Sequence, residues 1–191
     1  MKIRSSFVSN SSSSSFILGF KKFPKSKLEL MELLFPGAVD TDVIENSKLE
    51  WRTGSKASIG ELVNKLFKIL KKYGEKITNE QVILDHLSAS DEVYKMTRRN
   101  KKAMELMKKE DEICFATNDE EYNEVKNKLD EYYMFYAKKL WDQIKGKFAG
   151  YPQLIYIDIG DSGNGEGQIG DVLASNPLIF DKIPHVLIMR N

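Results

Sequence analysis

Cys114 is the only cysteine in 191 residues, so no internal disulfide can form. That excludes a disulfide-built secreted fold and predicts a reducing, cytoplasmic setting. Cys114 stands in the apolar triplet Ile113-Cys114-Phe115, with no histidine close in sequence to act as a base. It reads as a buried structural thiol ahead of a reactive one. Histidine is nearly as scarce: His86 and His185 are the whole supply. Two separated histidines and one cysteine cannot make a zinc site of the usual kind. No spacing supports a serine–histidine nucleophile pair. Long apolar runs are missing too. None approaches the ~20 residues that span a bilayer, so no membrane association is expected. Lys2 and Arg4 before an apolar stretch imitate a signal peptide, but serines interrupt it and Phe16 to Phe20 is too short for an h-region. No export is expected.

What is present is ordinary globular material. Apolar residues make up 41% of the chain, too many for disorder. The length predicts one domain, with roughly 70% of the unfolded surface buried on folding. Net charge is +1, but unevenly spread. Residues 1–109 hold 21 Lys and Arg against 13 Asp and Glu, net +8, and residues 110–191 hold 8 against 15, net −7. Two solvated halves that attract each other explain this better than a dedicated electrostatic face.

Phe16-Ile17-Leu18-Gly19-Phe20 reads as a strand reaching about Phe23 and stopped by Pro24. Met1 to Val8 alternates loosely, as a short edge strand would, and Leu49 to Thr53 reads as one more strand. Four capping-box patterns announce helices: Ser26 with Glu29, Ser58 with Glu61, Thr78 with Gln81, and Asn118 with Glu121. The first helix stops by Pro36. The second carries Ile59, Leu62, Val63, Leu66, Phe67, Leu70 and Tyr73 on one face, lysines on the other, and stops at Gly74. Further helices are predicted over Asn79 to Leu87, Asp91 to Met107 and Asp119 to Phe148. The last carries an aromatic stripe that reads as core before partner surface. Leu154 to Ile159 is apolar at nearly every position, as a strand covered on both faces should be. A short helix from Gln168 to about Ala174 and a strand over Val186 to Met189 complete the pattern. The expected fold is α+β, with a small sheet of N- and C-terminal strands and a helical block, about 56–148, packed on it. It forms a single domain over 1–191, with 56–148 as an insertion or subdomain.

Two stretches carry candidate chemistry. Asn10, Ser11, Ser12, Ser13, Ser14 and Ser15 can hydrogen-bond their own backbone and favour a turn between strands. The same turn reads as a polar loop for a phosphate-like anion, or as an exposed target for phosphorylation. The segment GDSGNGEGQIGD, residues 160–171, follows the best strand. Asp158, Asp161, Asn164, Glu166 and Asp171 offer the oxygens and bendable backbone that Mg²⁺ or Ca²⁺ requires. The order of a calcium loop is lacking, and the glycines do not fit a dinucleotide fingerprint. The plainest reading of that segment is a solvated loop with no cofactor. The densest basic patch is TRRNKK, residues 97–102. Aromatic partners suited to base stacking are absent around it, Tyr94 being the nearest, so it reads as a solvated helix face ahead of a nucleic-acid site.

The opening MKIRSSFVSNSSSSSFILGF resembles a scattered set of uncharacterised bacterial and bacteriophage proteins. Their shared pattern is a basic start, Phe-Val-Ser/Thr-Asn, a serine run, then Phe and an apolar strand, here Phe7-Val8-Ser9-Asn10, Ser11 to Ser15 and Phe16. Gly160 to Asp171 and Ile183-Pro184-His185 resemble later segments of such proteins, some of which end on a histidine where this chain ends Arg190-Asn191. The resemblance implies a bacterial or phage intracellular setting, the host cytoplasm if phage-encoded, and no particular activity. The leading expectation is therefore a non-catalytic binding or accessory protein that contacts a protein partner. The alternative is a divalent-metal-dependent enzyme or small-ligand binder using the serine turn and the acidic loop. A weaker alternative is nucleic-acid binding through the basic N-terminal half.

Overall fold

β1 (Ser13–Phe20) is flanked on both sides by strands from the far end of the chain, β3 (Gln153–Ile159) and β4 (His185–Arg190), and both pairings are antiparallel. The computed structural model describes residues 13–43, 58–113, 119–159 and 177–190. β2 (Glu75–Ile77) adds to the other edge of β3, giving the order β2-β3-β1-β4. Six helices, α1 (Lys27–Leu34), α2 (Ile59–Tyr73), α3 (Glu80–Ser88), α4 (Asp91–Arg98), α5 (Lys101–Ile113) and α6 (Asp119–Ile144), complete an α+β fold among the described residues. None of them is long and apolar enough to cross a membrane. The expected elements at Met1 to Val8, Leu49 to Thr53 and Gln168 to Ala174, the Asn118 cap and Cys114 lie outside the described residues.

The chain forms two compact units, 1–77 with 148–191, and 78–147. In the first, period-two alternation separates the faces of the sheet. Phe16, Leu18 and Phe20 of β1 join Ile155, Ile157 and Ile159 of β3 in one core with Leu30, Leu34, Leu62, Val63, Leu66 and Leu70 from α1 and α2. Ile17, Tyr156 and Ile188 on the opposite face are buried as well, which is why β3 lacks a polar alternation. α2, grouped by sequence with the later helices, belongs to this sheet unit. Its Ser58 cap accepts from the Glu61 amide at 3.2 Å, and Ser26 caps α1 in the same way at 3.1 Å. Gly74 ends α2 at φ −66°, so handedness is not its reason. A Cβ there would stand 2.2 Å from the Leu70 carbonyl oxygen.

In the second unit α6 packs against α3, α4 and α5 through Val125, Leu129, Ala137 and Trp141, with Tyr132, Tyr133 and Tyr136 half-buried. α3 is capped by Asn79, which accepts from the Val82 amide at 3.1 Å, one position later than the Thr78 pattern predicts. The single helix expected over Asp91 to Met107 is two. Asn100 interrupts it, its side chain accepting from the amides of Lys102 at 3.0 Å and Ala103 at 3.2 Å to start α5. Asparagine is a poor interior helix residue and a strong cap, so the break falls there.

Candidate functional site

The serine run is not a turn where it is described: Ser13, Ser14 and Ser15 already belong to β1, three residues before the apolar run begins. β1 is central, so neighbours on both sides satisfy its backbone groups, and the ladder extends into residues of low strand propensity. Register places Ser14 beside Ile159 and Met189, and Ser13 beside Arg190. One end of the sheet thus holds the start of β1 and the finishes of β3 and β4. In sequence, Asn10 to Ser12 directly precede β1 and Gly160 to Asp171 directly follow β3.

The bond that joins these stretches is Ser15 to Asp158. The two residues are register partners, and the Ser15 hydroxyl donates to Asp158 Oδ1 at 2.9 Å. Ser15 is fully buried among apolar neighbours, Ile17 along the strand and Ile188 across it, whereas Asp158 is exposed. An unmet hydroxyl in that position would cost about 1–3 kcal/mol. The carboxylate removes that cost and keeps its own hydration, and a charged acceptor strengthens the bond. Of the candidate residues read from the sequence, the structure brings Ser15 and Asp158 together and sets Ser13 and Ser14 at the same end. Asn10, Ser11, Ser12, Asp161, Asn164, Glu166 and Asp171 lie outside the described residues. Among the described residues no three His, Cys, Asp or Glu side chains gather as a metal cluster would require.

His185 opens β4 opposite Leu18, whose side chain points into the core. Leu18 and Ser15 are three positions apart, an odd number, so the histidine and the serine fall on opposite faces of the sheet. Its ring lies 5.6 Å from that of Phe180, with Nδ1 3.2 Å from the Ile183 carbonyl oxygen. Ser15 and His185 therefore form no nucleophile–base pair.

The Ile183-Pro184-His185 segment adjoins β1 directly. The Gly19 amide donates to the Pro184 carbonyl at 2.8 Å. A Cβ on Gly19 would lie 2.7 Å from Pro184 Cγ and 2.9 Å from Phe148 Cδ1, so glycine is what lets that layer close over the strand. Sequence reasoning missed this role, although a glycine inside an apolar strand signals a close approach. It also missed Gln153, whose side chain accepts from the Phe23 amide at 2.6 Å just beyond β1. An open groove of about 540 Å³ lies between the end of α1 and the start of α2. Its Asp42 is already engaged, accepting from the Val39 amide through its side chain and from the Ile59 amide through its carbonyl.

In comparisons with known proteins the chain matches no family model, no curated protein and no solved structure.

Proposed function

We propose that this is a non-catalytic binding protein that engages a protein partner at the sheet end where β1 begins and β3 and β4 finish. The observation that carries the reading is the Ser15–Asp158 bond, which ties a hydroxyl-rich stretch to the head of an acidic, glycine-rich one. Among the described side chains this end offers the exposed Asp158 carboxylate, suited to backbone amides and cationic side chains of a partner. The chemistry of Ser15 supports binding over catalysis. Its hydroxyl is given to a carboxylate, a weak base for activating serine, and the nearest histidine of β4 is on the other face. The opening motif adds a bacterial or phage cytoplasmic setting to the proposal.

A second reading has one observation in its favour: Asp158, first of five oxygen donors in fourteen residues, is exposed at this same end. That is where a Mg²⁺ or Ca²⁺ ligand would stand. Thermal melting with MgCl₂, MnCl₂ and CaCl₂ separates the two. A rise in melting temperature that Asp158→Asn abolishes favours the cation. If no cation raises it, while Asp158→Asn removes a partner captured by the wild type without lowering the melting temperature, the protein-binding reading stands. Capture that is indifferent to Asp158→Asn overturns it.

A further inference from the structure

We propose that the corner between α4 and α5 is a docking surface for single-stranded nucleic acid, separate from the sheet-end reading and carried by other residues. Lys95, Arg98, Arg99, Lys101 and Lys102 fall within eight residues and all are exposed. None of the five forms an ion pair with a carboxylate among the described residues. Of the other lysines of this unit Lys109, Lys128, Lys138 and Lys145 do and Lys108, Lys126, Lys139 and Lys147 do not, so it is the density of cations that sets this corner apart. Composition is not the cause. Residues 78–147 hold 13 Lys and Arg against 15 Asp and Glu, so the cations are concentrated on an acidic background.

The local electrostatics run against the fold. α1, α2, α3, α4 and α6 each place an acidic residue in the first turn, where the helix dipole favours it. α5 has none there and begins Lys101-Lys102 instead. Cations at the positive end of a helix are unfavourable until an anion arrives. The corner is held from beneath by side chains unrelated to charge. Val93, Thr97 and Ala103 are fully buried, the Thr97 hydroxyl donates to the Val93 carbonyl at 2.9 Å, and Asn100 donates to the Tyr136 hydroxyl at 3.3 Å. The outer side therefore presents its charges from a fixed frame.

Tyr94 decides the kind of polyanion. It is 45% exposed, and the Arg98 guanidinium lies 5.7 Å from its ring centroid. An aromatic ring and a guanidinium beside a row of cations are what stacked bases and a phosphate backbone require. A membrane surface would call for a row of exposed apolar side chains between the cations. From Lys95 to Lys102 the apolar side chain is Met96, half-buried, and Met104 beyond them is 37% exposed.

The test is fluorescence anisotropy of the full chain with a labelled oligothymidine of roughly 12 nucleotides, titrated with salt. If all five cations meet phosphates, log affinity falls against log salt with a slope of about −3.5, and Arg98→Ala with Arg99→Ala makes it shallower by about 1.4. Lys101→Gln with Lys102→Gln does the same, Tyr94→Ala weakens binding at unchanged slope, and Tyr94→Phe restores it. Thermal melting shows that each variant is folded. The proposal is overturned by absence of binding at low salt, or by folded variants that bind like the wild type. It is equally overturned by poly-glutamate or anionic vesicles competing as well as the oligonucleotide, or by low-salt self-association that the arginine variant abolishes.

Discussion

Ser15 and Asp158, 143 residues apart in the chain, meet as register partners on adjacent antiparallel strands, hydroxyl to carboxylate at 2.9 Å. Their environments differ, since the serine is buried and the aspartate exposed, and the two ends of the bond should respond unequally to mutation. Ser15→Ala removes a donor and leaves a hydrated carboxylate, at a cost of about 1 kcal/mol. Asp158→Ala strands the buried hydroxyl and should cost about 1–3 kcal/mol. Urea denaturation of both and of the double variant checks this. A double variant no less stable than Asp158→Ala is expected, and full additivity would refute the coupling.

Gly19 should not tolerate a side chain. Its added Cβ meets the Pro184 ring and Phe148, and overpacking of this kind costs roughly 1–3 kcal/mol. Gly19→Ala should lower the urea midpoint at unchanged slope. Combining it with Pro184→Ala, which opens the nearer contact, should recover part of the loss. No recovery would place the strain elsewhere.

Acidic groups on α5 and α6 set a pH dependence within the second unit. Burial, with Asp111 adding to it, raises Glu110 above its ordinary range. A carboxyl raised in the folded state binds its proton more tightly there than in the unfolded chain. Its contribution is thus present below the unfolded value, about 4.3, and lost as pH rises through the folded one. Glu110→Gln should therefore raise thermal stability at neutral pH and have little effect below about pH 4. Equal effects at both pH values would rule out titration as the cause.

Tyr133 extends the same logic to alkaline solution. Burial, then the neighbouring Glu110 charge, pushes its phenol up to about 12. Its share of stability holds below the unfolded value of about 10 and drains away as pH climbs toward the folded one. Tyrosinate absorbance should show a late component that disappears in Tyr133→Phe. That variant should also lose stability less steeply above about pH 10.

Asn100 both breaks the helical pattern and starts α5. Asn100→Ala removes the acceptor for two amides and the donor to Tyr136. A loss of about 1 kcal/mol is expected. Asn100→Asp should keep the cap and fall between the two. A variant as stable as the wild type would mean that the cap contributes nothing.

Much of this architecture was written locally. α2 could be read to its ends because Ser58, Glu61, the 3.6-residue stripe from Ile59 to Leu70 and Gly74 all act within a few residues of one another. β3 announced itself by an apolar run long enough for a two-sided strand, and the α+β class followed from where strands and helices fell. Tertiary structure decided what no local signal carries. It drew Ser13 to Ser15 into a strand, because β3 and β4 supply hydrogen bonds that serines do not themselves demand. It gave Gly74 and Gly19 their reasons, both contacts rather than handedness, and made Asn100 a cap inside a continuous pattern. Above all it chose Asp158 as the partner of Ser15. Pairing across 143 residues depends on which strands a shared core brings side by side, and periodicity encodes the face of a strand but not its neighbour.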